Sequence, residues 1–232
     1  MCIIAYYKKG TRPSKERIDY MIQRNPDGVG IGYNDGKRVY FTKGLVNADG
    51  VYNFIKKIEK HANDIVFHAR IATSGGISAE KCHPFLVTTD PDLIDVKTYA
   101  GREPIAFHNG VFALTPETGY NDTQTLIMRA IAPIKEQAPD GLREGDFDDL
   151  ITFATRNNRF VLMYPDRVRL YGEWTEDDGG VMYSNGNYKP YTYTGRAYAW
   201  DDMDDGYLYG GKNKYNDEWW RKHGYRAKGG EK

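Results

Sequence analysis

Met1-Cys2-Ile3-Ile4-Ala5-Tyr6-Tyr7-Lys8-Lys9-Gly10 opens the chain, and the reading of this stretch governs the rest. An apolar run from Ile3 to Tyr7, closed by the Lys-Lys-Gly turn signal, predicts a short buried strand that begins at once. A secretory leader has the opposite order, with positive charge first and a longer apolar run behind it. A strand that starts so early brings the N-terminal group, and Cys2 with it, into the interior.

Outward from this strand, Ser14 reads as a helix cap, with Ile18, Met21 and Ile22 as one apolar helical face. Asn25-Pro26-Asp27-Gly28 stops that helix. Val29, Ile31 and Tyr33 alternate with small residues, and Val39 and Phe41 recur across Asn34-Asp35-Gly36, the pattern of a hairpin. Val51, Phe54, Ile55 and Ile58 mark a second helix. Strands are expected over 64–72, 85–89, 104–112, 160–164, 168–171 and 181–183. Helices are expected from Asp122 onward and over 147–154. The strands read as consecutive hairpin-like pairs, and the class is α/β or α+β.

Lys+Arg and Asp+Glu both number 32, so the chain has no net charge that would draw it to nucleic acid or an anionic membrane. No apolar run approaches the roughly 20 residues of a membrane span. The cysteines, Cys2 and Cys82, make no disulfide framework, which points to a reducing compartment such as the cytoplasm. After about residue 190 the sequence turns rich in Tyr, Asp, Gly and Lys and poor in aliphatics, too poor to form a core. An acidic stretch (Asp201, Asp202, Asp204, Asp205) precedes a basic end (Arg221, Lys222, Arg226, Lys228). This tail, 191–232, is read as a loosely ordered or partner-docking segment behind a main domain of 2–190.

Four segments carry chemistry. Removal of Met1 would give Cys2 both a thiol and an α-amine, whose ordinary pKa values of about 8.5 and about 7.7–8.0 let the amine accept the thiol proton near neutrality. His68-Ala69-Arg70-Ile71-Ala72-Thr73 places Arg70 at the end of an apolar strand, where it makes a structural ion pair or grips a carboxylate bidentately. His108-Asn109-Gly110 offers a side-chain amide and a backbone N–H to one oxygen, the parts of an oxyanion hole. Asn121-Asp122-Thr123-Gln124 sets a carboxylate at a helix start, as an N-cap or as a partner for an ammonium group. His68, Cys82, His83 and His108 could be read as metal ligands. The adjacent pair Cys82-His83 points to opposite faces of an extended segment, however, and no Cys-x-x-Cys or His-x-x-x-His pair exists, so no metal is expected.

In this order the segments resemble the class II glutamine amidotransferase domain of the N-terminal nucleophile hydrolases, which has an N-terminal Cys after Met removal and His-x-Arg-x-x-Thr, His-Asn-Gly and Asp-Thr/Ser segments. Asn25-Pro26-Asp27-Gly28, His83-Pro84-Phe85 and Tyr183-Ser184-Asn185 are similar to further family elements, and the resemblance covers about residues 2–190. It implies an α+β fold, a four-layer αββα sandwich. It also implies hydrolysis of the glutamine side-chain amide through a γ-glutamyl thioester, without a cofactor. Cys2 is the implied nucleophile, and Asn109 and Gly110 hold the oxyanion. Arg70, Thr73 and Asp122 bind substrate, and a loop over 73–84 covers it. Only the tail follows the hydrolase segment, so a separate synthetase or transferase chain is expected to use the ammonia. A stand-alone amide or γ-glutamyl hydrolase and a non-catalytic binding member are the alternatives. Two departures stand out: Arg24-Asn25 where relatives have Arg-Gly, and Gln124 where many have Glu.

Overall fold

In a computed structural model, residues 1–11, 13–71 and 78–190 of the 232-residue chain are described. The expected tail 191–232 and Thr73 lie outside the described residues. The described part holds two sheets whose pairings are all antiparallel. In chain order, the first sheet's strands are β1 (Ile3–Tyr7), β2 (Val29–Asn34), β3 (Val39–Leu45), β4 (Asp64–Ala69), β6 (Thr98–Gly101), β10 (Thr175–Glu176) and β11 (Met182–Tyr183). They lie side by side as β10-β11-β1-β4-β2-β3-β6. The second sheet runs β5-β7-β8-β9, from β5 (Phe85–Leu86), β7 (Ile105–Asn109), β8 (Arg159–Met163) and β9 (Val168–Tyr171).

All five residues of β1 are buried, and strand alternation explains why. Ile3, Ala5 and Tyr7 join a core with Ile18, Met21 and Ile22 of α1 (Lys15–Arg24) and Val51, Ile55 and Ile58 of α2 (Ala48–Ile58). Ile4 and Tyr6 face the other way, into a core shared with Leu86, Ile105, Phe107, Val161 and Met163 of the second sheet. The second sheet's outer face, including Phe85, Ala106 and Leu162, packs against Ile127, Ile131, Leu142 and Ile151. Those four come from the helical segments after Asp122, which include α6 (Pro139–Glu144) and α7 (Asp148–Ala154). Close approach of the layers needs small residues. A Cβ on Gly30 would overlap the His83 carbonyl oxygen and lie 2.8 Å from its carbon.

Several sequence expectations change. The strand expected over 64–72 ends at Ala69, because its partner β1 begins opposite at Ile3, and Arg70 and Ile71 leave the ladder. The strand expected over 85–89 is two residues long, and that over 104–112 is five. Pairing is not only between chain neighbours, since β1 lies between β4 and β11. Asn25 stands without strain where the resemblance leads one to expect glycine: its φ is −136°, and its side chain donates to the Met21 carbonyl at 3.0 Å. No helix among the described residues is long and apolar enough to cross a membrane.

Candidate active site

Cys2 sits one residue before β1. Continuing the strand alternation puts its side chain on the Ile4–Tyr6 face, toward the second sheet. Continuing the Ile3–Ala69 register puts it opposite Arg70. Its Sγ donates to the Ile71 carbonyl at 3.6 Å. Burial pushes the thiol pKa up, while the positive charges of Arg70 and the terminal ammonium pull it down. The segment is held by its carbonyls: Asn185 Nδ2 donates to the Cys2 oxygen at 2.7 Å and Asn187 Nδ2 to the Met1 oxygen at 3.3 Å. The Met1 residue itself is 77% exposed, within reach of a processing enzyme.

Asn109 ends β7 on the same face as Ile105 and Phe107, which looks back at Cys2's sheet. Its Nδ2 donates to Ser184 Oγ at 2.9 Å, and Ser184 Oγ also accepts Ile4 N–H at 2.8 Å. The chain Cys2–Ile4–Ser184–Asn109 thus joins the two sheets at one end. Gly110 has a φ of +144°, a conformation that L side chains rarely adopt, and a Cβ there would overlap Asn158 Oδ1. The turn that aims this N–H therefore requires glycine.

Beneath these residues lie three buried histidines, two of which, His83 and His108, meet Thr123. Asn158 Oδ1 can only accept, so His108 Nε2 carries the proton it donates there at 3.0 Å. His108 Nδ1 is then an acceptor and takes the Thr123 hydroxyl proton at 2.8 Å. With that proton committed, His83 Nε2 donates to Thr123 Oγ1 at 3.3 Å. His68 Nε2 donates across the sheets to the His108 carbonyl at 3.1 Å. Each ring is therefore a neutral Nε2–H tautomer. Burial drives all three pKa values down, His68 to about 3 and His83 well below its ordinary value, although Asn158 and Asp122 pull His108 the other way. The Nδ1 atoms of His68 and His83 are buried with no hydrogen-bond partner. The rings form a packed support, with His68–His83 centroids 4.4 Å apart and His108 stacked on Phe112 at 3.8 Å.

Arg70 is buried beside this group. Its positive charge lowers the pKa values of His68 and His83 and opposes the rise in Cys2 and Cys82. Its backbone is fixed, with its N–H donating to Gly28 and its carbonyl accepting from Asp27. Asp122 is not the cap of its helix, α4 (Asp122–Leu126). Asn121 is, in a capping box with Gln124. Asp122 Oδ2 accepts Phe112 N–H at 2.9 Å and Oδ1 accepts Thr123 N–H at 2.8 Å, which orients the carboxylate and leaves lone pairs for a cation. Gln124 does the work of an acceptor in place of Glu: its Oε1 takes Asn121 N–H and Lys81 Nζ, and its Nε2 donates to Asp95.

Two features escaped the sequence reading. Lys43 is buried in β3, and its Nζ donates to the Glu80 carbonyl at 2.9 Å and the Pro84 carbonyl at 3.3 Å, 4.4 Å above the Phe85 ring. Burial pushes its pKa down to about 8. With Lys81 bound to Gly119 and Gln124, it holds residues 80–84 of the segment expected to cover the substrate. Ser184, the other, enters the sequence reading only within Tyr183-Ser184-Asn185, with no role of its own. Cys82 is buried, its Sγ turned to the Ser78 and Asp27 carbonyls and its pKa raised to about 11, an inert thiol at neutral pH. Among the described residues no group of three or more His, Cys, Asp or Glu is placed to hold a metal.

The fold that carries these residues is similar to that of a glutamine amidotransferase of known structure. The likeness is to glutamine phosphoribosylpyrophosphate amidotransferase from B. subtilis complexed with ADP and GMP. That structure is 15% identical, with a TM-score of 0.51 over 79% of this chain and 42% of that one. A structure described as the allosteric regulatory enzyme of purine biosynthesis matches at 15% identity over the same shares, with a TM-score of 0.49. The chain thus spans less than half the length of the structures it matches. No protein-family model and no curated protein matches it.

Proposed function

We propose that this chain hydrolyses the side-chain amide of L-glutamine, with Cys2 as nucleophile once Met1 has been removed. The Cys2 α-amine takes the thiol proton, and Sγ attacks the amide carbon. The resulting oxyanion is held by Asn109 Nδ2 and Gly110 N–H. The C–N bond breaks as the amine returns its proton to the departing ammonia. Water then cleaves the γ-glutamyl thioester, releasing glutamate and the thiol. Arg70 grips the α-carboxylate and Asp122 the α-ammonium, with Thr73 as a further substrate contact. Ammonia passes to a separate synthetase or transferase chain in the cytoplasm. The domain is 2–190, with its helices and sheets stacked in four layers, αββα.

The observation that carries this reading is the bridge from Ile4 through Ser184 to Asn109, which sets a candidate oxyanion donor at the end of the sandwich where Cys2 lies. Burial lowers the pKa values of all three histidines, which disfavours them as proton acceptors and is consistent with the Cys2 amine as the base. The test is glutamate release by Met1-free protein and its Cys2→Ala and Cys82→Ala variants. Cys2→Ala is expected to abolish release and Cys82→Ala to keep most of it. Loss of activity in Cys82→Ala alone overturns the assignment.

A further inference from the structure

Ser184 touches none of the reacting atoms in the scheme above, yet it is buried at the junction of the two sheets. Its Oγ accepts two hydrogen bonds, from Ile4 N–H at 2.8 Å and Asn109 Nδ2 at 2.9 Å, which fill both lone pairs of a hydroxyl. Its backbone N–H donates back to the Ile4 carbonyl at 3.0 Å, so residue 184 is bound to β1 twice. The next residue, Asn185, holds the Cys2 carbonyl. The other end of the Asn109 amide, Oδ1, is buried and has no hydrogen-bond partner. Among the described residues, Ser184 is therefore the one hydrogen-bond partner that fixes the plane of the Asn109 side chain.

An oxyanion donor is effective only when it is held at the place where charge develops, because a donor that must reorient gives up its advantage over water. Asn109 stands on one sheet and Cys2 on the other, and sliding of the sheets by a fraction of an ångström would change their separation. We propose that Ser184 is a positioning residue that ties the Asn109 amide to the strand carrying Cys2, so that donor and nucleophile move as one unit. The inference rests on the roles given to Cys2 and Asn109 under the proposed function.

The test uses the full Met1-free chain with Ser184→Ala and Ser184→Thr, which deletes and restores the hydroxyl. Three readouts are taken: kcat and KM for glutamate release, the rate of Cys2 alkylation by iodoacetamide, and the side-chain amide resonance of Asn109 in a ¹⁵N-labelled sample. S184A is expected to lower kcat on the order of 10- to 10²-fold, with KM and alkylation within about twofold of the parent, and S184T to recover most of kcat. The Asn109 resonance moves in S184A and returns in S184T. An S184A kcat within about twofold of the parent, or a rise in KM alone, overturns the positioning role. If S184A does not fold, Ser184→Cys, which keeps the shape with a weaker acceptor, takes its place in the same comparison. A parent chain with no glutaminase activity refutes the proposed function rather than this inference, which the Asn109 resonance then decides: an unmoved resonance in S184A refutes it.

Discussion

Replacing Gly110 by alanine tests the geometry of the turn that presents its N–H. The backbone there has a φ of +144°, and holding a non-glycine residue in so sparsely populated a region costs about 1–3 kcal/mol. The added methyl would overlap Asn158 Oδ1 and lie 2.7 Å from its Cγ, so the Asn158 side chain must turn away. It cannot do so freely, since Oδ1 accepts His108 Nε2 at 3.0 Å and Nδ2 donates to the Arg156 carbonyl at 2.9 Å. Leaving His108 with an unpaired buried N–H costs a further ~1–3 kcal/mol. The two terms give a loss of about 2–6 kcal/mol, a large part of the 5–15 kcal/mol typical of a domain. In urea unfolding this appears as a midpoint lower by roughly 1–3 M for a slope near 2 kcal/mol/M. In an Asn158→Ala background the clash is gone, and Gly110→Ala should then cost only the backbone term of about 1–3 kcal/mol. A loss below about 1 kcal/mol would refute the strain argument, and the same loss in both backgrounds would refute the Asn158 contact.

Lys43 gives a pH test. Its folded pKa of about 8 lies below the ordinary 10.5, so between these values the unfolded chain holds the proton and the folded chain does not. The stability of the parent relative to Lys43→Met should be flat below pH 8 and rise by roughly 2–3 kcal/mol up to pH 10.5, and a falling curve would contradict the burial of a charged amine. In steady-state kinetics, Arg70→Ala is expected mainly to raise KM, and Asn109→Ala to lower kcat by roughly 10²–10³-fold, with the reverse pattern overturning both roles. Protein that retains Met1, identified by intact mass, should release no glutamate, because the only α-amine is then one residue away from the thiol. Full activity in that form would remove the Cys2 amine from the mechanism.

The parts of the fold written in local pattern were legible: the buried run at Ile3–Tyr7, the Ser14 cap, and the apolar face of Ile18, Met21 and Ile22. What was not legible lacked such a pattern. Strand β6, Thr98–Gly101, alternates only between exposed and half-buried positions on a sheet edge, and α6 buries a single residue, Leu142. The end of β4 was overrun because Ile71 continues the apolar run, whereas the ladder with β1 stops at the Ile3–Ala69 pair. The site's motifs marked Cys2, Arg70, Asn109 and Asp122, but not what supports them. Ser184 lies 75 residues from Asn109, and the tautomers of His68, His83 and His108 follow from contacts that no spacing encodes. Nothing in the sequence marks Lys43 for burial, since most lysines are exposed, and the carbonyls of Glu80 and Pro84 that receive its Nζ come from a distant loop.

The place of β1 in its sheet has a consequence for how the protein is made. The ribosome delivers this strand well before either neighbour: β4 begins at Asp64, and β11 pairs Tyr183 with Ala5. Until residues 182–183 have been made the nascent chain therefore carries an apolar strand with an unfilled edge, and contacts of such long separation are the slow ones to form. Closure of the sheet by β11 also brings Ser184 and Asn185 onto Ile4 and Cys2. The segment carrying Cys2 is thus made early and locked late, so its burial should arrive late in refolding, in step with the docking of residues 182–185 rather than with the first collapse.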